Sequence, residues 1–598
     1  MTTARYIVGI DLGTTNNVIA YCDTTAVDGG PLKVEVLPIP QLIAPDNVEA
    51  RPLLPSFLYL PAAGELAAES LRLPWKTPAA GVVGLFAQKR GAEVPARLVA
   101  SAKSWLSYAG VDRGASILPW SSPDDVPKLS PVDASAQYLA HLRHAWNAAF
   151  RNAPLERQDV FLTVPASFDA VARDLTVRAA HDAGLPPVTV LEEPQAAFYA
   201  WIDALGEGWR QAVSVGDVVL VCDIGGGTTD FSLIAVREEQ GELVLDRIAV
   251  GDHILLGGDN MDLALAYSVR DRLAQEGTQL DSWQFRGLML SCREAKEHLL
   301  SSSGAAKHGV AILGRGRKVI GGTLRAEINR EVVDRTLVDG FFPQCSIDDR
   351  PQTQRRTALQ EIGLPYAADA AVTRHLASFL ARNSAALGKG SDARPTAVLF
   401  NGGVMHAAML RERLVSTING WFAKHAPLRV LAGGDPEHAV ARGAAYYGLA
   451  RRGRGVRIRG GTARSYYVGI ETTMPAVPGM RPPIKALCVA PRGLEEGSEV
   501  ELPPQELGLV VGEPAEFRFL SSATRRDDQV GTLLESWGDD ISELEPLEAT
   551  VSWKGHEGTT VPVRLQARVT ELGVLELWCV SRDGKQRWKL EFNVRGQQ

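Results

Sequence analysis

The chain writes nearly the same passage twice. Near its start stands Ile7-Val-Gly-Ile-Asp11-Leu-Gly13-Thr14-Thr15-Asn16, and far downstream Val219-Leu-Val-Cys-Asp223-Ile-Gly225-Gly226-Gly227-Thr228-Thr229-Asp230. Each copy is an apolar run that closes on an aspartate, a tight turn of glycine and threonine, and a second apolar run, Val18–Tyr21 or Phe231–Ala235. Apolar strands around a Gly-rich turn predict a β-hairpin. Two such hairpins predict two related halves that face each other across a cleft.

The turn chemistry points to phosphate. Successive backbone N–H groups in a glycine turn form a concavity for anions, and the hydroxyls of Thr14, Thr15, Thr228 and Thr229 add donors. Asp11 and Asp223 would repel a phosphate unless a hard cation stood between. Magnesium needs few carboxylates beside substrate phosphates and keeps several waters. One such hairpin alone reads as an ordinary turn; two copies, each behind an apolar strand, favour the phosphate reading.

At 598 residues the chain is too long for one core, so several lobes are expected. Its 45% apolar and 22% charged residues suit a globular protein. The formal net charge of −7 argues against a nucleic-acid binder and a basic membrane-surface protein. Six scattered cysteines form no C-x-x-C pair, which predicts a reduced compartment and no structural zinc site. No apolar run approaches the roughly 20 residues that span a bilayer, and no secretory leader is visible. The expectation is a cytoplasmic protein with no membrane partner.

Between the hairpins the pattern alternates strand and helix, as in an α/β lobe. A helical stretch is predicted around Arg97–Tyr108, and a helix capped by Asp133 that runs to Phe150. Val160–Val164 and Val188–Leu191 read as strands, with a helix between them that ends near Gly184. Glu192-Glu193-Pro194 opens a further helix over Gln195–Leu205. After the second hairpin come a strand near Leu243–Val250, a corner at Leu256-Gly257-Gly258-Asp259, and helices over roughly 260–276 and 282–303. A hairpin turning at Gly321-Gly322 follows, then a polar loop over 345–365 and a helix from about Ala368 to Leu387. The strand Ala397–Phe400 leads into Asn401-Gly402-Gly403-Val404. The strand Leu428–Ala432 precedes Asp435-Pro436-Glu437, which opens a helix whose small residues, Ala439 to Ala445, would let it lie close to a neighbour. Three parts are expected: residues 1–452, an Arg/Gly-rich linker over 453–465, and a β-rich domain over 466–598. In that domain Ala515–Leu520, Val561–Val569, Val574–Val580 and Arg587–Phe592 read as strands, with turns at Glu571–Gly573 and Asp583-Gly584.

In order, these motifs resemble the DnaK or heat-shock-70 chaperone family over most of residues 5–450. The resemblance implies an α/β, actin-like, two-lobed ATPase fold of duplicated ribonuclease-H-like subdomains, followed by a smaller all-β domain. It implies ATP or ADP in the cleft with magnesium, potassium being allowed, and ATP hydrolysis as the reaction. Asp11 and Asp223 match the family's magnesium-ordering pair, largely through water. Gly13, Thr14, Thr15, Asn16, Gly225, Gly226, Gly227 and Thr228 match its phosphate cradle. Lys103 matches a lysine that contacts the terminal phosphate and the attacking water, and Glu193 and Asp230 match carboxylates that orient or deprotonate that water. Gly257, Gly258, Asp259, Lys296, Gly402, Gly403, Val404 and Glu437 fall where the family holds the nucleoside. Pro165 and Arg173 match positions that relay nucleotide state.

The chain departs from the family at Asp259, where glutamate is common, and at His406, where an arginine stacks on adenine. Glu297 also departs, at a position that is often basic or apolar. The family's leucine-rich linker is replaced by Gly455-Val-Arg-Ile-Arg-Gly460, and no helical lid or acidic tail precedes Gln598. The resemblance implies a monomeric chaperone that takes an unfolded or extended polypeptide client, with a co-chaperone or exchange factor and no nucleic acid. Two alternatives stay open: a small-molecule kinase on the same fold, and a nonhydrolysing nucleotide-bound scaffold.

Overall fold

The computed structural model describes residues 4–593, apart from 26–31, 76–80, 109, 240–241, 253, 302–304, 313–323, 353–363, 365, 388–393, 455–457, 460–461, 463, 473–482, 493, 495–497, 504–506, 523–524, 526, 539, 545–546, 554–557 and 571–573. It divides into two compact units, Met1–Arg457 and Ile458–Gln598.

The repeated passages are hairpins at the centre of two like sheets. In the first, Tyr6–Leu12 pairs antiparallel with Asn16–Asp23, and on its other edge parallel with Asp159–Val164, which pairs parallel with Thr189–Glu192. In the second, Val218–Ile224 pairs antiparallel with Thr229–Glu239, and on its other edge parallel with Ala397–Asn401, which pairs parallel with Arg429–Val430. A third antiparallel strand extends each hairpin outward: Glu35–Val36 in the first sheet, Glu242–Val250 in the second. The central strands are apolar along their length because both faces are covered: Val219, Leu220, Val221, Cys222 and Ile224 are all buried.

Two helices lie between the sheets, Glu193–Leu205 and Ala439–Arg451. The second has the small residues its sequence promised, and they permit the contact. A Cβ added at Gly443 would sit 1.7 Å from the Ala196 carbonyl oxygen, so the helices approach at backbone distance. In the second lobe, helices Gly258–Gln275 and Ser282–Leu300 cover a core that includes Leu288, Cys292, Ala295 and Leu299, the stripe spaced for one helix face. The strands Lys307–Ile312 and Leu324–Asn329 pair antiparallel; the Gly321-Gly322 turn lies outside the described residues.

Several sequence boundaries move, each for a local reason. The cap of the helix Pro131–Ala149 is Ser130, not Asp133: the Ser130 hydroxyl accepts from the Asp133 N–H, and Asp133 answers to the Ser130 N–H. The predicted Ala368–Leu387 helix begins at Val372, because the Asp369 carboxylate instead accepts from the N–H groups of Gln352 and Ala371. Around Arg97–Tyr108 only Ala102–Ser107 is α-helical. The helix expected to open at Asp435 starts at Ala439, and the strand at Leu428–Ala432 shortens to Arg429–Val430. The helix Leu85–Glu93 has no counterpart in the sequence reading.

His141, on the helix Pro131–Ala149, is buried with Nε2 2.9 Å from the Pro40 carbonyl oxygen. Burial pushes its pKa from 6.5 down to about 4, and the His144 ring beside it adds to the fall. Above pH 6.5 both folded and unfolded chains hold this ring neutral. As pH drops toward 4 the unfolded chain takes up the proton first, so stability is lost across that window, by about 3 kcal/mol for this residue. Thermal unfolding midpoints from pH 7 to pH 4 should therefore fall less steeply for His141→Gln than for the wild type.

In the unit Ile458–Gln598, two antiparallel sheets share one core. The strands Ser465–Glu471, Ile484–Ala490 and Phe519–Ser522 belong to one sheet, and Thr559–Val569, Val574–Ser581 and Arg587–Asn593 to the other. Tyr466, Val468, Leu487 and Val489 of the first meet Val563, Leu565, Leu575 and Leu577 of the second. Among the described residues of this unit there is no helix. The single strand read over Ala515–Leu520 is two, Pro514–Phe517 and Phe519–Ser522, which pair with different partners. The Glu571–Gly573 turn lies outside the described residues, while Gly584 turns the chain at φ +69°.

Candidate nucleotide site

The two hairpin turns face each other across a cavity of about 370 Å³, within the size range of small-molecule sites. Asp11, Gly13, Thr14, Thr15 and Asn16 line it from the first hairpin, and Asp223, Gly225, Gly226 and Thr228 from the second. Lys103, Glu193, Gly258, Asp259, Lys296, Gly402, Gly403, Val404 and Glu437 also line it. Of the sequence-predicted site residues, Gly227, Gly257 and Asp230 do not.

The loops abut. A Cβ on Gly226 would stand 1.7 Å from Thr15 Oγ1, and one on Gly227 would meet Thr14 at 2.7 Å. Thr15 Oγ1 is buried and has no hydrogen-bond partner. A hydroxyl removed from water without a partner is costly, and here it lies in a glycine cradle between two loops. That combination suits an anionic ligand with acceptor oxygens.

Below the loops four charges converge. Lys103, on the helix Ala102–Ser107, contacts Glu193 at the start of Glu193–Leu205, and both side chains are largely buried. Ser101, just before that helix, is held at φ +54°, a left-handed conformation that is uncommon for a non-glycine residue. Asp11 accepts from the Thr163 hydroxyl at 3.3 Å, and Asp223 accepts from Asn401 Nδ2 at 2.8 Å. Burial pushes Glu193 up to about 8; Asp11 and Asp223 add to the rise while Lys103 opposes it. Burial likewise takes Asp223 to about 7, against the Asn401 hydrogen bond, and raises Asp11 against the pull of Lys103. Burial works against the Lys103 ammonium, but Glu193, Asp11 and Asp223 outweigh it and raise its pKa. Three carboxylates thus share one ammonium. Fully ionised they leave an excess of two negative charges, which a dication balances. Among the described residues no three His, Cys, Asp or Glu side chains, these carboxylates included, stand close enough to hold a metal ion unaided. The donor set therefore fits magnesium held by few carboxylates, water and phosphate.

Asp230 lies opposite Asp223 across the hairpin, but it accepts from the Ser167 hydroxyl at 2.7 Å. Ser167 follows the first-lobe strand Asp159–Val164, so this bond joins the two lobes behind the cavity. At the other end, Arg293 contacts Asp259 and donates to Asp262 at 2.9 Å, while Lys296 Nζ reaches Asp262 at 2.7 Å and the Gly258 carbonyl at 2.9 Å. Glu297 and His406 line the cavity, His406 Nε2 standing 3.7 Å from Glu437 Oε1.

Sequence reasoning passed over Arg293, Asp262 and Asn401. Arg293 precedes Lys296 by three residues on one helix face, a spacing that could have flagged it. Asn401 pairs in register with Asp223 on the neighbouring parallel strand, so the polar end of a Val-Leu-Phe run was its signal.

Residues 89–338 match the family model described as Hsp70 protein. Over that stretch, which is less than half of its length, the chain is similar to the Hsp70 family. Its two like lobes are the actin-like nucleotide-binding fold of that family, with mixed sheets, and its last unit is built of antiparallel sheets. Among the curated proteins, the chain is 33% identical over 332 residues to a protein from Variovorax paradoxus named Chaperone protein HscA homolog, covering 55% of this chain and 46% of that one. It is 31% identical over 351 residues to the protein of the same name from Ralstonia nicotianae, covering 56% and 48%. The chain spans about half the length of the curated relatives it matches. All six cysteines are free, and no described helix is long and apolar enough to cross a membrane.

Proposed function

We propose that this chain is an ATP-hydrolysing, Hsp70-like chaperone. In this reading residues 1–452 bind and hydrolyse ATP, 453–465 link, and 466–598 take an extended polypeptide in a reducing cytoplasm. The observation that carries the nucleotide part is the buried Lys103–Glu193 contact beneath two abutting Gly/Thr loops, with Asp11 and Asp223 on either side.

The reaction demands placement and charge rather than covalent chemistry. Backbone N–H groups and hydroxyls of Thr14, Thr15 and Thr228 cradle phosphate oxygens. Magnesium, held through Asp11, Asp223 and water, would supply charge neutralisation at the phosphates. The Lys103 ammonium stabilises charge that develops on the transferred group. The Glu193 carboxylate, held against Lys103, orients the attacking water and accepts its proton. Lys296, Arg293, Gly402 and Glu437 hold the nucleoside end. Asp230, tied to Ser167 of the other lobe, aligns the lobes.

The polypeptide part is supported by the relatives' description as chaperone proteins and by the separate antiparallel unit, to whose edge strands an extended client could add. A co-chaperone or exchange factor belongs to the same reading.

Single-turnover ATP hydrolysis tests it. Glu193→Gln is expected to slow phosphate release by about 100-fold or more, with ATP binding and circular dichroism preserved. Equal rates in wild type and Glu193→Gln would refute the assigned role. Wild-type protein that binds ATP and never turns it over would favour the scaffold, and phosphate delivered to a small acceptor rather than water would favour the kinase.

A further inference from the structure

Behind the cavity floor a buried ion pair crosses from lobe to lobe. Arg247 Nη1 donates to Glu192 Oε2 at 2.8 Å, and the side chains are 6% and 1% exposed. Arg247 lies on the second-lobe strand Glu242–Val250, opposite Ile234. Glu192 closes the first-lobe strand Thr189–Glu192, in register with Val164, and is the N-cap residue of the helix Glu193–Leu205. Short side chains such as aspartate cap a helix from this position, and the longer Glu192 makes no side-chain cap bond. It reaches the other lobe instead.

Such a pair is poor value as a source of stability. Removing two charges from water costs roughly what their attraction returns, and an apolar pair of the same shape often does as well. Its position is what distinguishes it. The next residue is Glu193, whose Cα is held about 3.8 Å from that of Glu192 by the peptide. Pro194 follows and fixes its own φ, so strand end, Glu193 and first helical turn move as one piece. Glu193 is thus held from two sides: through its own carboxylate by Lys103 of the first lobe, and through its neighbour by Arg247 of the second.

We propose that Arg247 and Glu192 are positioning residues that make the placement of the Glu193 carboxylate depend on how the two lobes are closed. This rests on the reading of Glu193 as the group that accepts the proton from water. A lobe rotation that carries the strand Glu242–Val250 draws on Glu192 and re-aims Glu193 against Lys103. Hydrolysis then proceeds at full rate in one lobe arrangement and slows in others, without any change in the groups that hold the nucleotide.

The test uses the full chain and the double variant Arg247→Met with Glu192→Gln, which removes both charges of the pair together. Its kcat for ATP hydrolysis should fall about tenfold while KM stays within about twofold, the signature of lost alignment rather than lost binding. Arg247→Lys, which keeps a cation facing Glu192, should recover to within about threefold of wild type. If the double variant does not fold, Glu192→Gln alone keeps the hydrogen bond without the charge and should lower kcat in the same sense by about threefold. Wild-type kcat in the double variant would overturn the proposal and leave the hydrolase reading standing. A rise in KM parallel to lost nucleotide binding would also overturn it, because the pair would then merely hold the lobes together. A wild type that releases no phosphate would overturn the hydrolase reading, and the proposal with it.

Discussion

Lys103→Ala is expected to lower the single-turnover rate of ATP hydrolysis by about 100- to 1,000-fold. The size follows from what surrounds the ammonium. Lys103 is 6% exposed, contacts Glu193, and feels Asp11 and Asp223 as well. Taking it away removes the cation aimed at the reacting phosphate. It also leaves Glu193 buried beside two other carboxylates with its opposing charge gone. Lys103 opposes the rise that burial gives the Glu193 carboxyl, so without the ammonium that carboxyl goes higher still and holds its proton more firmly. The alanine variant therefore loses electrostatic stabilisation and the proton acceptor together, and should be at least as slow as Glu193→Gln. Combining the two should cost little more than either, since groups that act as a unit are not additive. The fold should survive, because a buried carboxyl left unpaired neutralises itself. Phosphate release measured beside far-ultraviolet circular dichroism decides the matter. A folded Lys103→Ala protein that hydrolyses ATP at the wild-type rate would remove the lysine from the mechanism.

The parts of this site that were legible in the chain are the ones whose chemistry is local. A glycine turn between two apolar strands announces itself within ten residues, so Asp11 with Thr14 and Asp223 with Gly226 could be read directly. Register did the rest, because like hairpins sit at like places in the two sheets. Lys103 was harder. Nothing in Ser101-Ala-Lys103-Ser-Trp105 marks a buried lysine, and its burial is decided by Glu193, 90 residues on. The motif order alone lifted it from the surface. Asp230 shows the opposite difficulty: its strand position puts it beside Asp223, but a serine from the other lobe occupies it. Arg293 and Arg247 could be located on their elements by sequence, yet their partners are set by how helices and lobes pack. The split at Arg518 was hidden because Ala515–Leu520 alternates like one strand; only the pairing of its halves with Leu547–Thr550 and Ser465–Glu471 separates them.

Gly257→Ala should produce the largest loss from a residue that does not line the cavity. A Cβ at this position would lie 2.6 Å from the carbonyl oxygens of both Gly225 and Gly226 and 2.8 Å from the Gly226 carbonyl carbon. These are backbone atoms of the second phosphate loop, and they have no rotamer by which to step aside. Real Cβ contacts of this length do not occur, so the loop itself must shift. That loop is also held from the same corner, the Gly258 N–H donating to Gly225 O at 3.0 Å and the Asp259 N–H to Gly226 O at 2.7 Å. One added methyl therefore strains both hydrogen bonds and moves the cradle against Thr15, where the facing loops already abut. A displacement of about 1 Å in a group that must be aligned with a reacting phosphate is worth about 100-fold in kcat/KM. The loss should fall on both binding and turnover, because the same loop holds the phosphates in the ground state. Gly208→Ala is the matched control. It adds the same methyl where nothing lies within 4 Å and should leave the kinetics unchanged. If Gly257→Ala bound and hydrolysed ATP like the control, the second hairpin would not be gripping phosphate, and the pairing of the two loops around one ligand would have to be abandoned.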